Sequence, residues 1–252
     1  MAADKTEAFR QNFRNSIPKD YSGVRHGLTA LAIGLLALFG LLLLVRAPVT
    51  WIDLAVIPAA AVGWNFVEWI VHTHVLHRPG KGKIARILYQ RHTHTHHQFF
   101  THDHASFDGT RDLSIVFFPV FALPITLLLA TPAALLAWLI VSLNAALILL
   151  ATVAAMYILF EVMHFCAHVP ENAFVRHCPL INTMRRHHIA HHNHRLMMTT
   201  NMTFTFPLAD WIMGTSDVER GFWGMTFNGL STKHVKPINV RSSEPQTSDT
   251  TA

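Results

Sequence analysis

Between residues 185 and 195 the chain reads RRHHIAHHNHR, which sets His187, His188, His191, His192 and His194 beside three arginines. The protein has 19 histidines in 252 residues, and most of them fall in clusters of this kind. His72, His74 and His77 occur in EWIVHTHVLH, His92, His94, His96 and His97 in RHTHTHHQ, and His164 and His168 in HFCAH. Neutral imidazole is the commonest biological metal ligand and suits iron, zinc and copper. Residues three or four apart on a helix share a face, so His164 can project with His168, and His188 with His191 and His192. Rings left unpaired near a membrane would cost solvation energy. A low-complexity histidine tract does not fit, because the clusters are spaced through folded-looking sequence with apolar residues between them. His26, His177 and His234 lie apart from the clusters and read as ordinary hydrogen-bonded residues.

The elements that must position these rings are apolar. Apolar residues make up 51% of the chain and charged residues 14%, against about 25% charged in an average soluble domain. Four long apolar runs are expected as spans at about residues 26–45, 51–71, 113–130 and 133–160, with the break between the last two at Thr131-Pro132. A run of about 20 residues crosses a hydrocarbon core at about 1.5 Å per residue. The net charge is +5, but the basic residues flank apolar runs instead of forming a separate domain, so nucleic acid is not an expected partner. Lys5, Arg10, Arg14, Lys19 and Arg25 precede the first run, and Arg78, Lys81, Lys83, Arg86, Arg91 and Arg111 follow the second, whereas the intervening turn offers only Arg46. The positive-inside rule then places both termini and both histidine-rich segments on the cytoplasmic side. Cys166 and Cys178 form no CxxC pair and are expected reduced. No cleavable signal peptide is evident.

The expected fold is an all-α integral membrane protein, four transmembrane helices in two hairpins under a cytoplasmic, histidine-rich helical cap. Residues 1–25 form a cytoplasmic N-terminal segment. Residues 26–215 form the membrane-embedded domain, with histidine boxes at 72–104 and 164–194. Residues 216–252 form a C-terminal segment whose end, 241–252, reads as a disordered tail. A bacterial inner membrane or an endoplasmic reticulum would suit this multi-pass topology.

The order of the boxes resembles the fatty acid hydroxylase/sterol desaturase superfamily, the membrane-bound histidine-box di-iron oxygenases. The pattern is HX4H (His72, His77), a variant of HX2HH (His92, His96, His97), HX3H (His164, His168) and HX2HH (His188, His191, His192). Asp108-Gly-Thr-Arg111, Asn201 and PLADWIMGT resemble the family's connecting and closing segments, and the likeness runs from about Glu68 to Thr215. It departs in the second box, where His92 stands one residue too far from His96 and His97, so that His94 competes with His92 as the ligand.

The resemblance implies two iron ions, with zinc as a substitute, held by His72, His77, His92, His96, His97, His164, His168, His188, His191 and His192. It implies O2 as co-substrate and hydroxylation of an unactivated C–H bond of a fatty acyl, sterol or related lipid. A desaturase with the same metal centre is the nearest alternative. Electrons would come from a ferredoxin- or cytochrome b5-type donor with its reductase, since the chain has no haem motif, GxGxxG fingerprint or ferredoxin-like cysteine set. From another class, a non-catalytic zinc-binding or transport protein would place polar ligands at mid-bilayer. Here the runs are almost wholly apolar, with Asn144 the main exception.

Ligating imidazoles need partners for their second nitrogen. Glu68 lies four residues before His72 and Glu161 three before His164, so each is expected either to accept a ring N–H or to pair with a nearby arginine. Asn201 is expected as polar support or as a weak water-mediated ligand. Asp108 and Asp210 are expected as caps or as partners of Arg111 and Arg185. His187 and His194 are expected as supporting or surface residues.

Overall fold

The computed structural model describes residues 2–237, and it is helical throughout, with only two isolated β-bridges among the described residues. The segment 241–252 lies outside them. The helices are α1 (Ala2–Ser16), α2 (Gly23–Leu43), α3 (Trp51–Val71), α4 (Lys83–Tyr89), α5 (His97–Phe99), α6 (Leu113–Val116), α7 (Ala122–Ile140), α8 (Leu143–His168), α9 (Ala173–His177), α10 (Ile181–His191), α11 (Leu208–Met213) and α12 (Phe222–Thr226). Two π-helical segments join them: His72–Leu76 continues α3, and Gln90–His96 links α4 to α5.

Four helices are long and apolar enough to cross a membrane: Gly23–Leu43, Trp51–Leu76, Ala122–Ile140 and Leu143–His168. The third and fourth differ from the expected 113–130 and 133–160. Pro132 lies inside α7 and does not end it. Proline frees the carbonyl four residues earlier, and the Thr131 hydroxyl donates to that carbonyl, Leu128 O, at 2.6 Å. Within a bilayer, such a local hydroxyl can satisfy what a missing N–H leaves open. The chain turns instead at Val141-Ser142, where Ser142 Oγ accepts from Ala145 N at 3.0 Å and caps α8.

The same serine donates to Asp53 Oδ1. Asp53 also completes a capping box with Thr50 at the start of α3. Asn144 is not a mid-span residue but sits on the first turn of α8, where it accepts from Arg46 N at 3.0 Å and donates to Arg46 O at 2.7 Å. One end of the bundle is therefore tied together by three short polar side chains.

α8 is the axis of the bundle. About 56% of its apolar window is buried, against 6%, 17% and 11% for the other three spans, and α2, α3 and α7 all pack on it. α2 and α3 pack on α8 rather than extensively on each other, so the first two spans do not form a tightly packed pair. Gly34 lets α2 approach α8, since a Cβ there would stand 2.7 Å from Ile158 Cγ1.

The N-terminal segment also forms structure. Phe9 and Phe13 of α1, one helical turn apart, pack on the buried cluster of Phe99, Phe100, Leu113, Ile115 and Val116. Arg14 binds Asp112 through Nε and Nη2, each at 2.8 Å, and Arg10 and Arg14 both reach Asp108. Asp108 is thus a partner of α1 and not of Arg111, which donates to the carbonyls of Ile17, Pro18 and Lys19.

Candidate metal centre

The box histidines meet at one end of the bundle, where α3 and α8 terminate. Two groups of buried rings form there, and within each the potential ligand nitrogens lie within 4.8 Å of one another: His72, His77, His92, His97 and His191 in the first, and His96, His168, His188 and His192 in the second. The groups adjoin, with the His97 and His192 rings stacked at 4.3 Å between centroids. His164 lies beside the second group, its Nε2 3.3 Å from that of His96.

Local backbone geometry explains how each pair converges. His72 and His77 are five residues apart, as are His92 and His97, and on an α-helix such residues point about 140° away from each other. Each pair spans a π-helical segment, with His77 N donating to His72 O at 3.1 Å and His97 N to His92 O. The wider turn brings residues i and i+5 to one face. His164, His168, His188 and His192 need no such device, because four-residue spacing already aligns them on α8 and α10. His191 turns to the first group while its neighbours His188 and His192 enter the second. The one helical face expected for these three residues is therefore shared between the two groups.

His92 belongs to the first group, whereas His94 is exposed and rests edge-on against Tyr89 at 4.9 Å. His74 likewise faces outward beside Trp69. His102 and His104 are exposed. His194 is exposed and contacts His97 O at 3.1 Å through Nε2. His187 is buried against Asp210, with Nε2 to Oδ2 at 2.9 Å.

The donor set fits a metal. Burial, followed by the neighbouring rings, pushes the imidazoles of His92, His96, His97 and His188 well below the ordinary histidine range, and takes His77 to about 2. Burial also lowers His191, to about 4, and His192. Neutral rings hold one proton each. His72 Nδ1 donates to Met202 O at 2.6 Å and His191 Nδ1 to Thr200 O at 2.7 Å. Thr93 gives its hydroxyl proton to Leu76 O and so accepts from His77 Nδ1 at 3.3 Å. The Nε2 atoms of these three rings therefore carry lone pairs only, yet His77 Nε2 stands 3.0 Å from that of His72 and 2.9 Å from that of His191.

Lone pairs facing each other at that distance repel unless a cation lies among them. With metal–nitrogen bonds of about 2.0–2.1 Å, two neighbouring nitrogens on one ion stand roughly 2.8–3.4 Å apart across octahedral and tetrahedral geometry. In the second group, Nδ1 of His168 and of His192 likewise faces a carbonyl oxygen, Ala105 O and Phe100 O, each at 2.6 Å.

The expected carboxylate partners do other work. Glu68 accepts from Phe204 N, from Thr205 N at 3.1 Å and from Thr205 Oγ1 at 2.7 Å. Glu161 accepts from Tyr157 Oη at 2.8 Å and Phe118 N at 3.2 Å. Neither bonds an imidazole or an arginine: His72 gives its ring N–H to the Met202 carbonyl instead, and the buried Nδ1 of His164 has no hydrogen-bond partner among the described residues. Asp210 accepts from Met202 N and Thr203 N, both at 2.9 Å, and from the hydroxyls of Thr203 and Thr215, both at 2.5 Å. Burial favours its protonated form, but the His187 contact and the hydroxyl bonds outweigh that and hold the carboxyl below its usual range.

Together, Glu68 and Asp210 fix the 202–205 backbone, so that the Met202 carbonyl faces His72. Arg185, instead of pairing with Asp210, donates to the carbonyls of Cys166 and Ala167 at the end of α8. Asn201 serves as polar support. Its left-handed backbone (φ 58°) lets Nδ2 reach His187 O and Asp217 Oδ1, each at 2.9 Å.

Side-chain spacing gives no sign of the carbonyl acceptors, nor of Phe204. That ring lies 4.7 Å from both His72 and His188 and 5.4 Å from His164. Phe160 lies behind it at 5.1 Å, and Trp64 behind Phe160 at 6.5 Å. An aromatic column thus runs from the α3–α8 contact to the histidines. Comparison of the chain with protein-family models, with curated proteins and with solved structures gave no match.

Proposed function

We propose that the protein is a membrane-bound di-iron oxygenase that hydroxylates an unactivated C–H bond of a lipid, consuming O2 and electrons from an external carrier. The observation that carries this reading is the pairing of two adjoining, all-imidazole donor groups with the ends of apolar spans. Neutral imidazole shells suit iron, and iron changes oxidation state where zinc does not. Bound iron would supply O2 activation; the balance of the reaction is one C–H bond and O2, with two electrons and two protons, giving an alcohol and water.

The chain's own residues have defined parts in this reading. Carbonyls of Met202, Thr200, Ala105 and Phe100 orient the rings and fix the proton on Nδ1. Glu68 and Asp210 hold the segment that carries Met202. Phe204, Phe160 and Trp64 form an apolar wall along which a hydrocarbon chain can reach the histidines without entering water. The electron carrier, of ferredoxin or cytochrome b5 type, would act from the side of the histidines, which this reading takes as cytoplasmic together with both termini.

Lipid analysis of cells with and without the chain tests the proposal. A lipid that gains one oxygen only when the chain and iron are present is the expected outcome. A product lacking two hydrogens would reassign the reaction to desaturation. An unchanged lipid profile from iron-loaded protein supplied with a working electron donor would end the oxygenase reading.

A further inference from the structure

Away from the four spans, two short helices near the C-terminal end of the described residues turn an apolar surface outward. Trp211, Ile212 and Met213 of α11 are exposed, as are Trp223 of α12, Phe227 at its C-terminal cap and the nearby Leu230, with Trp223 at 69% and Phe227 at 62%. The aromatic rings form one surface, with Trp211 5.8 Å from Phe222, Phe222 5.0 Å from Trp223, and Trp223 6.2 Å from Phe227. A contiguous patch of this kind marks a partner or a membrane.

Its height identifies the partner. α11 is bound to α3 by Asn65, which accepts from Ala209 N at 2.8 Å and donates to Phe206 O at 2.7 Å, and Trp69 Nε1 donates to Thr215 Oγ1 at 3.0 Å. Asn65 lies about 21 Å along α3 from Trp51 at 1.5 Å per residue, short of the roughly 30 Å of a hydrocarbon core. Trp51, exposed at the start of α3, suits the opposite interface. At the height of the tether, Val67 and Ile70 on α3 also turn outward, as lipid-facing residues do. The second helix beside the end of α3 has a related character: α4 packs against the His72–Leu76 segment and exposes Ile84 and Ile87 next to Lys83 and Arg86.

We propose that α11 and α12 are an in-plane membrane seat, their apolar face buried at the boundary between headgroups and acyl chains on the histidine side, with α4 resting on the same interface. Tryptophan and phenylalanine favour that boundary, and lysine and arginine beside isoleucine suit anionic headgroups. The seat has a consequence for the site. α11 carries Asp210, which holds the Met202–Thr203 backbone against His72, so the depth of α11 in the lipid fixes the height of the histidine groups above the acyl chains. This rests on the spans alone and not on the reaction assigned to the metals.

The test uses the full chain in nanodiscs and the variant Trp211→Phe/Trp223→Phe, which keeps the aromatic surface. The difference in tryptophan emission between the two reports on α11 and α12. Lipids brominated near the ester groups should remove more than half of that difference, lipids brominated at the chain ends less, and aqueous acrylamide little. Strong quenching by acrylamide without a bromine effect would mean that the face lies in water and would overturn the seat. Quenching by neither, together with a dimer cross-linked through Trp223→Cys, would assign the face to a second copy and overturn it equally.

Discussion

The two histidine groups use the same ligand atom but different backbone devices. The first takes His72 with His77 and His92 with His97, pairs five residues apart that align only because the helix widens into a π turn at each. The second takes His188 with His192, an i, i+4 pair on α10, together with His168 at the end of the continuous helix α8 and His96. A π turn is an unfavourable insertion that persists where surrounding contacts hold it, and here Thr93 ties His77 to the Leu76 carbonyl. The first group thus depends on tertiary support but gathers five rings, whereas the second takes three of its four rings from α8 and α10 and only His96 from the Gln90–His96 π segment. Local regularity and number of ligands trade against each other across the centre.

The largest contrast should come from removing rings. His188→Ala or His192→Ala leaves the second group three of its four nitrogens, whereas His72→Ala or His97→Ala leaves the first four of five. Turnover should vanish in all four variants. Metal analysis should show the second ion lost outright and the first retained in part. Equal loss from both halves would break the comparison.

Single-residue deletions sharpen it. Removing exposed His74 closes the π turn to an ordinary α turn and leaves His72 and His77 at i, i+4, so metal content of the first group should largely survive. Removing Ile189 moves His188 and His192 to i, i+3 and turns the rest of α10 by about 100°, so the second ion should be lost. If deletion of His74 were the more damaging, the π turn would be essential rather than merely tolerated.

Acid should act on the metal-free protein over a defined range. The buried rings are held below the ordinary histidine value, so the unfolded chain binds protons that the folded chain refuses. Folding stability then falls as pH drops from about 6.5 toward the folded value of about 4 for His191. Each such ring lowers stability by about 1.4 kcal/mol per pH unit within that window. Denaturant unfolding of metal-free protein should show this slope, and bound metal should suppress it. A metal-free protein equally stable at pH 7 and pH 5 would contradict the neutral, buried rings.

Smaller effects belong to the supports. Asp210→Asn loosens the segment that presents Met202 to His72 and should weaken metal binding in the first group about 10–100-fold, leaving the second nearly untouched. His194→Ala, which removes one contact to His97 O, should cost less than that, and exposed His94→Ala least, both read by metal titration. A His94→Ala variant that lost metal would assign the second box to the wrong ring.

Much of this was open to reading from the sequence. Partition into a bilayer is nearly additive along the chain, so runs such as 26–45 or 51–71 declare themselves whatever they pack against, and four apolar helices are present. The clustering of histidines marks a candidate metal-binding end for the same kind of reason, since the residue type itself carries the chemistry, and buried rings do gather there close enough to hold a metal. Helix limits were harder. Pro132 suggested a break because the hydroxyl that rescues its lost hydrogen bond, Thr131 to Leu128 O, is a three-dimensional fact. The structure in α1 was missed because Phe9 and Phe13 mean little until Phe99 stands opposite them.

The grouping of the rings was decided only by the tertiary structure. Spacing of three or four residues placed His188, His191 and His192 together, yet His191 joins rings from α3 and from the second box. Glu68 and Glu161 were candidates to orient imidazoles because carboxylates are visible in a sequence. The acceptors in use are main-chain carbonyls, such as Met202 O, which lies 130 residues from His72. Every residue owns a carbonyl, so composition cannot say which one will face a ring. The sequence by itself determined that the chain is apolar enough to span a membrane and holds abundant neutral nitrogen donors. The fold decided which nitrogen points inward, which rings are grouped, and what holds them there, because those depend on hydrogen-bond directions set by segments far apart in the chain.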